Sequence, residues 1–374
     1  MIVGLIGARG TVPTDAMATV SFLVDHKYLF ECPSEIIPAF DRFQKEWARI
    51  SVHKSPPQLA ALGRPTLGKV RYVIISHLHY DHWGGLPHII HRILLLEREA
   101  RERRPLSIII PKGSTIPFQL RMQALFSLQE SNLPLSDVEF LYYWLTIEVG
   151  AAIRKVVRII SIEDGDVVPL DPGYFLSCKK NPHLEIGSVA YKLIFRKPKL
   201  DVNRAKSLEI PFNRTLKRIE KSQSPVKVGD IFVSRNDIYF DLTKTLCYSG
   251  DTNVDSGLFE FFRDAQILIH EATYLTKQKN FHLESHSDLD SLIPEIEKLK
   301  DPATLLGFIP IHFSTRYKEE EISMHLSQLS KDRMNLCQVI NPIVTLYVLI
   351  TDYGHLDFIE RPQKSLANHS ETDR

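Results

Sequence analysis

A chain of 374 residues with 44% hydrophobic and 24% charged side chains is long enough to bury a large core in one big domain or two, and its make-up is that of an ordinary globular protein. A formal net charge of +1 argues against a protein that coats polyanions over its whole surface, but leaves room for a local basic patch. Cys32, Cys178, Cys247 and Cys337 are scattered without a C-x-x-C pair, so no disulfide scaffold is expected and the reducing cytoplasm suits the chain. The first residues lack the regions of a signal peptide and no apolar stretch is long enough to span a membrane, so a membrane partner is not expected.

Residues 2–7 read as a strand and Ala8 to Asp15 as a Gly/Pro loop. Thr19 to Val24 and Tyr28 to Phe30 flank Asp25-His26-Lys27 as a hairpin. Pro33 to Ile50 has helical spacing, with Ile36, Ile37, Phe40, Phe43 and Trp47 on a core-facing side. The run Tyr72-Val73-Ile74-Ile75 is short enough for a buried strand and leads into Ser76-His77-Leu78-His79-Tyr80-Asp81-His82-Trp83-Gly84-Gly85. The histidines and the aspartate between residues 77 and 82 are the ligand types that borderline-soft divalent metals prefer, zinc above all.

Leu86 to Arg104 reads as an amphipathic helix, and its terminal Arg98, Arg101, Arg103 and Arg104 either solvate the helix end or face phosphate. Leu106 to Gly113 reads as a strand and turn, Gln119 to Tyr143 as helix and connection, and Val156 to Ile162 as a strand; a helical insertion is expected over about 91–150. His183 stands just before a strand ending Val189 to Phe195. From Arg196 to Asp230 the chain turns basic, with Pro198, Pro211 and Pro225 and little periodicity. On composition this is a flexible insertion, either a solvated loop or an electrostatic arm for a polyanion.

One device then recurs: an apolar strand followed by residues that handle metals or protons. Thr245 to Tyr248 feeds Ser249-Gly250-Asp251-Thr252, Ala265 to Ile269 feeds His270-Glu271-Ala272-Thr273, and Leu305 to Ile311 feeds His312-Phe313-Ser314. Loops leaving one sheet edge can converge on a single site. Thr345 to Thr351 and His355 to Ile359 read as closing strands, and 361–374 as a frayed tail.

The Ser76–Gly85 loop resembles the signature of the metallo-β-lactamase superfamily. His270-Glu271-Ala272-Thr273, His286-Ser287 and His312-Phe313-Ser314-Thr315-Arg316-Tyr317 are similar to motifs of its ribonuclease Z family. The resemblance implies an α/β fold, the αβ/βα four-layer sandwich, over residues 1–360, with metals at one edge. It assigns one ion to His77, His79 and His183 and a second to Asp81, His82 and His312, with Asp251 bridging. Two zinc ions are expected, with manganese or another divalent metal also possible. Asp81 could orient the attacking water or accept its proton, and His286, paired with Glu271, could protonate the departing 3′ oxygen. His282 is the other candidate for that histidine.

Arg316 either contacts phosphate or forms a structural salt bridge; Arg214, Lys217 and Arg218 lie in the interval of the family's RNA-gripping arm. The implied activity is zinc-dependent removal of the 3′ trailer from precursor tRNA by a cytoplasmic homodimer. This chain departs from the family at Glu31, where Asp is usual, at Ile210 to Arg214, where the arm often carries Gly-Pro, and at Asp288, where Thr is usual. Two rivals stay open: hydrolysis of a small phosphodiester such as a cyclic nucleotide, and a catalytically silent RNA-binding relative.

Overall fold

The computed structural model describes all residues except 15–16, 52–55, 97–101, 103, 114–136, 184–187, 223, 278–285, 300–303, 333–336 and 362–374. Its strands are β1 (Ile2–Arg9), β2 (Ala18–Thr19), β3 (Ser21–Val24), β4 (Tyr28–Phe30), β5 (Tyr72–Ile74), β6 (Leu106–Pro111), β7 (Val157–Ile162), β8 (Val167–Pro169), β9 (Tyr174–Asn181), β10 (Ser188–Leu200), β11 (Val226–Val228), β12 (Ile231–Val233), β13 (Tyr239–Tyr248), β14 (Ile267–Glu271), β15 (Gly307–Ile311), β16 (Gln338–Val339), β17 (Thr345–Ile350) and β18 (Leu356–Glu360).

Among the described residues two large sheets form. One runs β18-β17-β1-β3-β4-β5-β6-β7 with β2 beside β1, and the other runs β16-β15-β14-β13-β10-β9-β8. The period of two along β1 divides its side chains between two cores. Ile2 and Ile6 face the helices Ile36–Ser51 and Leu86–Leu96, whereas Val3 and Leu5 face the opposite sheet. Between the sheets Phe22 stacks on Phe30 with ring centroids 4.6 Å apart, and Tyr248 meets both rings edge-on. A third core packs Leu258, Leu292, Ile296 and Ile322, from helices on the far side, against Leu268 and Phe308. Helix, sheet, sheet, helix is the four-layer sandwich expected from the resemblance.

The direction of the strands positions the site. β4, β5, β6 and β7 are mutually parallel, as are β13, β14 and β15, so the carboxyl ends in each set open at one edge, where loops of α/β sheets gather ligands. The two edges are laced together. Val189 N–H donates to Ser76 O at 3.0 Å, Tyr191 Oη to Ile75 O at 2.7 Å, and Phe313 N–H to Ala8 O at 3.1 Å. Gly250 takes φ +60°, and a Cβ there would stand 2.8 Å from Val189 O and 2.9 Å from Ser76 Cβ. Only glycine lets that loop pass so close.

Three expectations change. The helix after the metal loop is described over Leu86–Leu96, and Arg104, its expected end, is not helical; Arg98, Arg101 and Arg103 lie outside the described residues. The interval 91–150 is not one insertion, because β6 within it is an inner strand between β5 and β7. Much of the predicted 119–143 helix lies outside the described residues, and the helix there is Asp137–Val149.

A further change concerns the basic segment, which is folded. β10 and β13 continue past the body of the sheet as an antiparallel ladder that still pairs Leu200 with Tyr239. Beyond it sit the helices Val202–Ser207, Arg214–Lys221 and Arg235–Ile238 and the β11–β12 hairpin. Ala205, Ile210, Ile219, Val226, Val233 and Ile238 form a small core of their own. Asp201 and Asn213 cap the first two helices by accepting from Arg204 N–H and Thr215 N–H.

Candidate metal centre

The loop exits converge at the shared rim. His77, His79, His183 and Asp251 form one group whose potential ligand atoms all lie within 4.8 Å of each other, and Asp81, His82 and His312 form a second. In the first, His79 Nδ1 stands 2.9 Å from His77 Nε2 and 3.4 Å from His183 Nε2. In the second, Asp81 Oδ2 lies 3.6 Å from His82 Nε2 and 3.7 Å from His312 Nε2. Asp251 Oδ2 faces both groups, at 3.7 Å from His77 Nε2, 3.4 Å from His82 Nε2 and 3.2 Å from His312 Nε2. These are the positions that the resemblance names as ligands.

The donor set fits divalent cations. Both ring nitrogens of His82, Nε2 of His312 and Oδ1 of Asp251 are buried without a hydrogen-bond partner. Burying polar atoms unpaired is costly, and converging imidazole nitrogens with shared carboxylates are what a cation would satisfy.

Electrostatics divides the cluster. Burial, with the His82 charge adding to it, pulls the His77 imidazole well below its ordinary range. Burial and then His183 lower His79 to about 4. Both rings are thus neutral lone-pair donors. His82 goes the other way: burial opposes its charge, but Asp251, Asp81 and Glu31 raise it well above the ordinary value. Despite burial, His312 and His82 hold the Asp251 carboxyl well below the usual range, and His82 with His312 holds Asp81 at about 2. Without metal, His82 keeps a proton that a cation would displace.

A second layer of side chains holds these ligands. Ser76 Oγ lies 3.0 Å from His77 Nδ1. Glu31, fully buried at the exit of β4, places Oε2 3.4 Å from His82 Nδ1 and Oε1 3.2 Å from the Ser76 amide. Sequence reading registers Glu31 only as a departure from the family's usual Asp.

His312 has φ +66° and Glu31 +58°. A non-glycine residue holds that conformation only where its surroundings over-determine it. Buried Arg9 supplies one such constraint: Nη1 donates to Tyr317 O at 2.8 Å and Ser314 O at 3.2 Å, and Nη2 pairs with Glu319 at 2.6 Å. It thereby fastens the loop after His312 to the end of β1.

Beside the cluster, the Glu271 carboxylate accepts from Ser287 N–H at 2.6 Å, Thr273 N–H at 3.0 Å, Thr273 Oγ1 at 2.9 Å and Thr252 N–H at 3.3 Å. So many donors fix its position. His286 Nδ1 lies 3.4 Å from Glu271 Oε1, and its ring stacks on His312 with centroids 5.2 Å apart. Burial works against charge on His286, but the facing Glu271 carboxylate and then the charge of Asp251 outweigh it and raise the pKa to about 9. The alternative His282 lies outside the described residues. Asp288, the third family departure, caps the helix Leu289–Lys298 by accepting from Ser291 N–H.

Arg316 is exposed, with its guanidinium 4.9 Å over the Tyr274 ring. Arg214, Lys217 and Arg218 are exposed on the helix of the basic insertion and do not join the cluster. With twelve steps of about 3.3 Å along β10 from Ser188, the insertion starts roughly 40 Å from the rim. Among the described residues no helix is long and apolar enough to cross a membrane.

The model of the metallo-beta-lactamase superfamily matches residues 45–106, which include the Ser76–Gly85 loop. Ribonuclease Z of Methanocaldococcus jannaschii is 25% identical over 261 residues, covering 68% of this chain and 72% of that protein. Ribonuclease Z of Staphylococcus aureus is 26% identical over 269 residues, covering 69% and 74%. Among solved structures, the metallo-beta-lactamase fold protein YhfI from Bacillus subtilis superposes with a TM-score of 0.50 at 13% identity, over 91% of this chain and 96% of that one.

Proposed function

We infer, for a chain that matches the metallo-beta-lactamase superfamily model over residues 45–106 and is similar to ribonucleases Z over two thirds of its length, a metal-dependent endoribonuclease that removes the 3′ trailer from precursor tRNA and leaves a 3′-hydroxyl on the tRNA. The observation that carries the reading is the pairing of the histidine–aspartate cluster with His286, held 3.4 Å from Glu271 at its margin. A two-ion site without a proton donor suits many hydrolases; the added imidazolium suits an alkoxide leaving group.

In this reading His77, His79 and His183 would hold one zinc ion and Asp81, His82 and His312 the other, with Asp251, which faces both groups, available to either. Bound there, the ions would supply Lewis acidity toward the phosphoryl group and lower the pKa of water at neutral pH. Asp81 orients the attacking water and takes its proton. His286 gives a proton to the departing 3′ oxygen, while Glu271 keeps the imidazole charged and aimed. Ser76 and Glu31 hold the His77 and His82 rings.

The reach of the molecule supports a long substrate. Arg214, Lys217 and Arg218 stand on a folded unit roughly 40 Å from the rim, too far for a cyclic nucleotide to touch both but within the span of a folded RNA. Arg316 lies closer, next to the His312 loop, where phosphate contact is its role. The acting species in this reading is a cytoplasmic homodimer.

The test is incubation with a labelled precursor tRNA. Wild type should cut 3′ of the discriminator, His79→Ala should abolish turnover, and His286→Ala should slow it while metal stays bound. Hydrolysis of bis(p-nitrophenyl) phosphate without any cleavage of precursor tRNA would move the assignment to a small phosphodiester.

A further inference from the structure

We propose that Thr273 fixes the tautomer of His312 and thereby ties the Glu271–His286 pair to the cation site of Asp81 and His82. The proposal rests on the metal-centre reading above. Thr273 is buried two residues beyond Glu271, the last residue of β14. Its Oγ1 stands 2.9 Å from Glu271 Oε2 and 2.9 Å from His312 Nδ1.

A hydroxyl has one proton to give. Glu271 Oε2 already accepts the Thr273 amide at 3.0 Å, so it presents lone pairs and takes the hydroxyl proton as well. What Oγ1 then offers His312 is a lone pair. Nδ1 must therefore carry the ring proton, because two lone pairs at that distance repel.

A neutral imidazole has a single N–H, which leaves Nε2 bare. Nε2 is the atom that looks into the cluster, 3.2 Å from Asp251 Oδ2 and 3.7 Å from Asp81 Oδ2, buried and without a hydrogen-bond partner. The opposite tautomer would aim an N–H at the place where a cation must sit.

The backbone keeps the pair in register. Ala272 N–H donates to Ile311 O at 2.7 Å, and Ser314 N–H to Thr273 O at 3.1 Å, on either side of the contact. A Cβ on Gly10 would lie 3.3 Å from His312 Cε1, so the glycine after β1 leaves the ring the room it occupies. One carboxylate thus serves two imidazoles, His286 directly and His312 through a hydroxyl. Thr273 is a positioning residue, since it touches neither ion nor substrate.

The experiment compares Thr273→Val, nearly the same shape without the hydroxyl, with Thr273→Ser, which keeps it. Metal-free protein is titrated with zinc against a chromophoric chelator, bound zinc is counted, and melting is followed in parallel. Wild type should bind two ions. Thr273→Val should leave one event unchanged and weaken the other about 10–100-fold, the usual loss when a ligand's supporting partner is removed, and Thr273→Ser should restore it. Equal two-ion binding by Thr273→Val and wild type overturns the proposal. So does a Thr273→Ser variant as weak as Thr273→Val, or loss of both events together with a lowered melting temperature. A wild type that binds no zinc overturns the metal-centre reading instead.

Discussion

Glu31 Oε2 lies 3.4 Å from His82 Nδ1, and neither side chain is more than 1% exposed. The carboxylate stands behind the ring, on the side away from Asp81 and Asp251. Carboxylate–histidine–metal chains orient the ligand and raise its basicity. Glu31→Gln keeps the shape and an acceptor for the Ser76 amide but removes the charge. Cation affinity at the Asp81, His82 and His312 site should fall about 10–100-fold in a calorimetric titration. Unchanged affinity would make Glu31 a packing residue only.

His286 carries the pH dependence. Its pKa is raised to about 9, so the acid form is complete through neutrality and is lost as pH rises through 9. Removing the Glu271 charge withdraws the strongest support for that form. In Glu271→Gln the alkaline limb of the pH–rate profile should move toward lower pH by about 1–3 units, the usual effect of one close opposite charge. A limb that stays where it was would assign the proton to another group.

His26 predicts acid sensitivity of the fold. It sits 1% exposed in the β3–β4 turn, with Nε2 3.2 Å from Tyr347 Oη. Burial, then the Lys69 charge, lower its pKa from 6.5 to about 4. A depressed folded pKa leaves stability whole above 6.5 and withdraws it as pH falls toward 4, at most on the order of 3 kcal/mol for this group. His26→Gln should lose less stability than wild type between neutral and mildly acidic urea denaturation. Parallel losses in the two proteins would show that His26 takes no part.

The insertion can be separated from the catalytic body. Ile219 is fully buried in its small core, and a charge there has no partner. Ile219→Asp should melt that unit alone. Turnover of bis(p-nitrophenyl) phosphate should persist, while KM for precursor tRNA rises and its salt dependence flattens as phosphate contacts are lost. Equal damage to both activities would mean that the unit supports the rim itself.

Which features could be read from the chain alone follows from how local their signals are. Apart from His183, which stands between the antiparallel β9 and β10, the positions that gather at the rim were legible because each follows an apolar strand, and parallel strands deliver their exits to one side. Glu31 was not legible, because its partner His82 lies 51 positions away and a single carboxylate after a hairpin carries no pattern. Arg9 escaped for the same reason, since its contacts at Ser314, Tyr317 and Glu319 lie across the chain. The basic segment misled because its helices Val202–Ser207 and Arg214–Lys221 each bury a single residue, Ala205 and Ile219. A core assembled from isolated side chains on short elements leaves no periodicity to find.

The β10–β13 ladder gives the proposed reaction a yardstick. Its register runs unbroken from Tyr191 opposite Tyr248 to Leu200 opposite Tyr239, so the basic unit is carried on a strut of fixed length rather than a tether. Excising one two-residue repeat from each strand would keep every side chain on its own face while shortening the strut by about 6.6 Å. An enzyme that measures from a distant grip to its scissile bond would then cut its RNA at a displaced nucleotide.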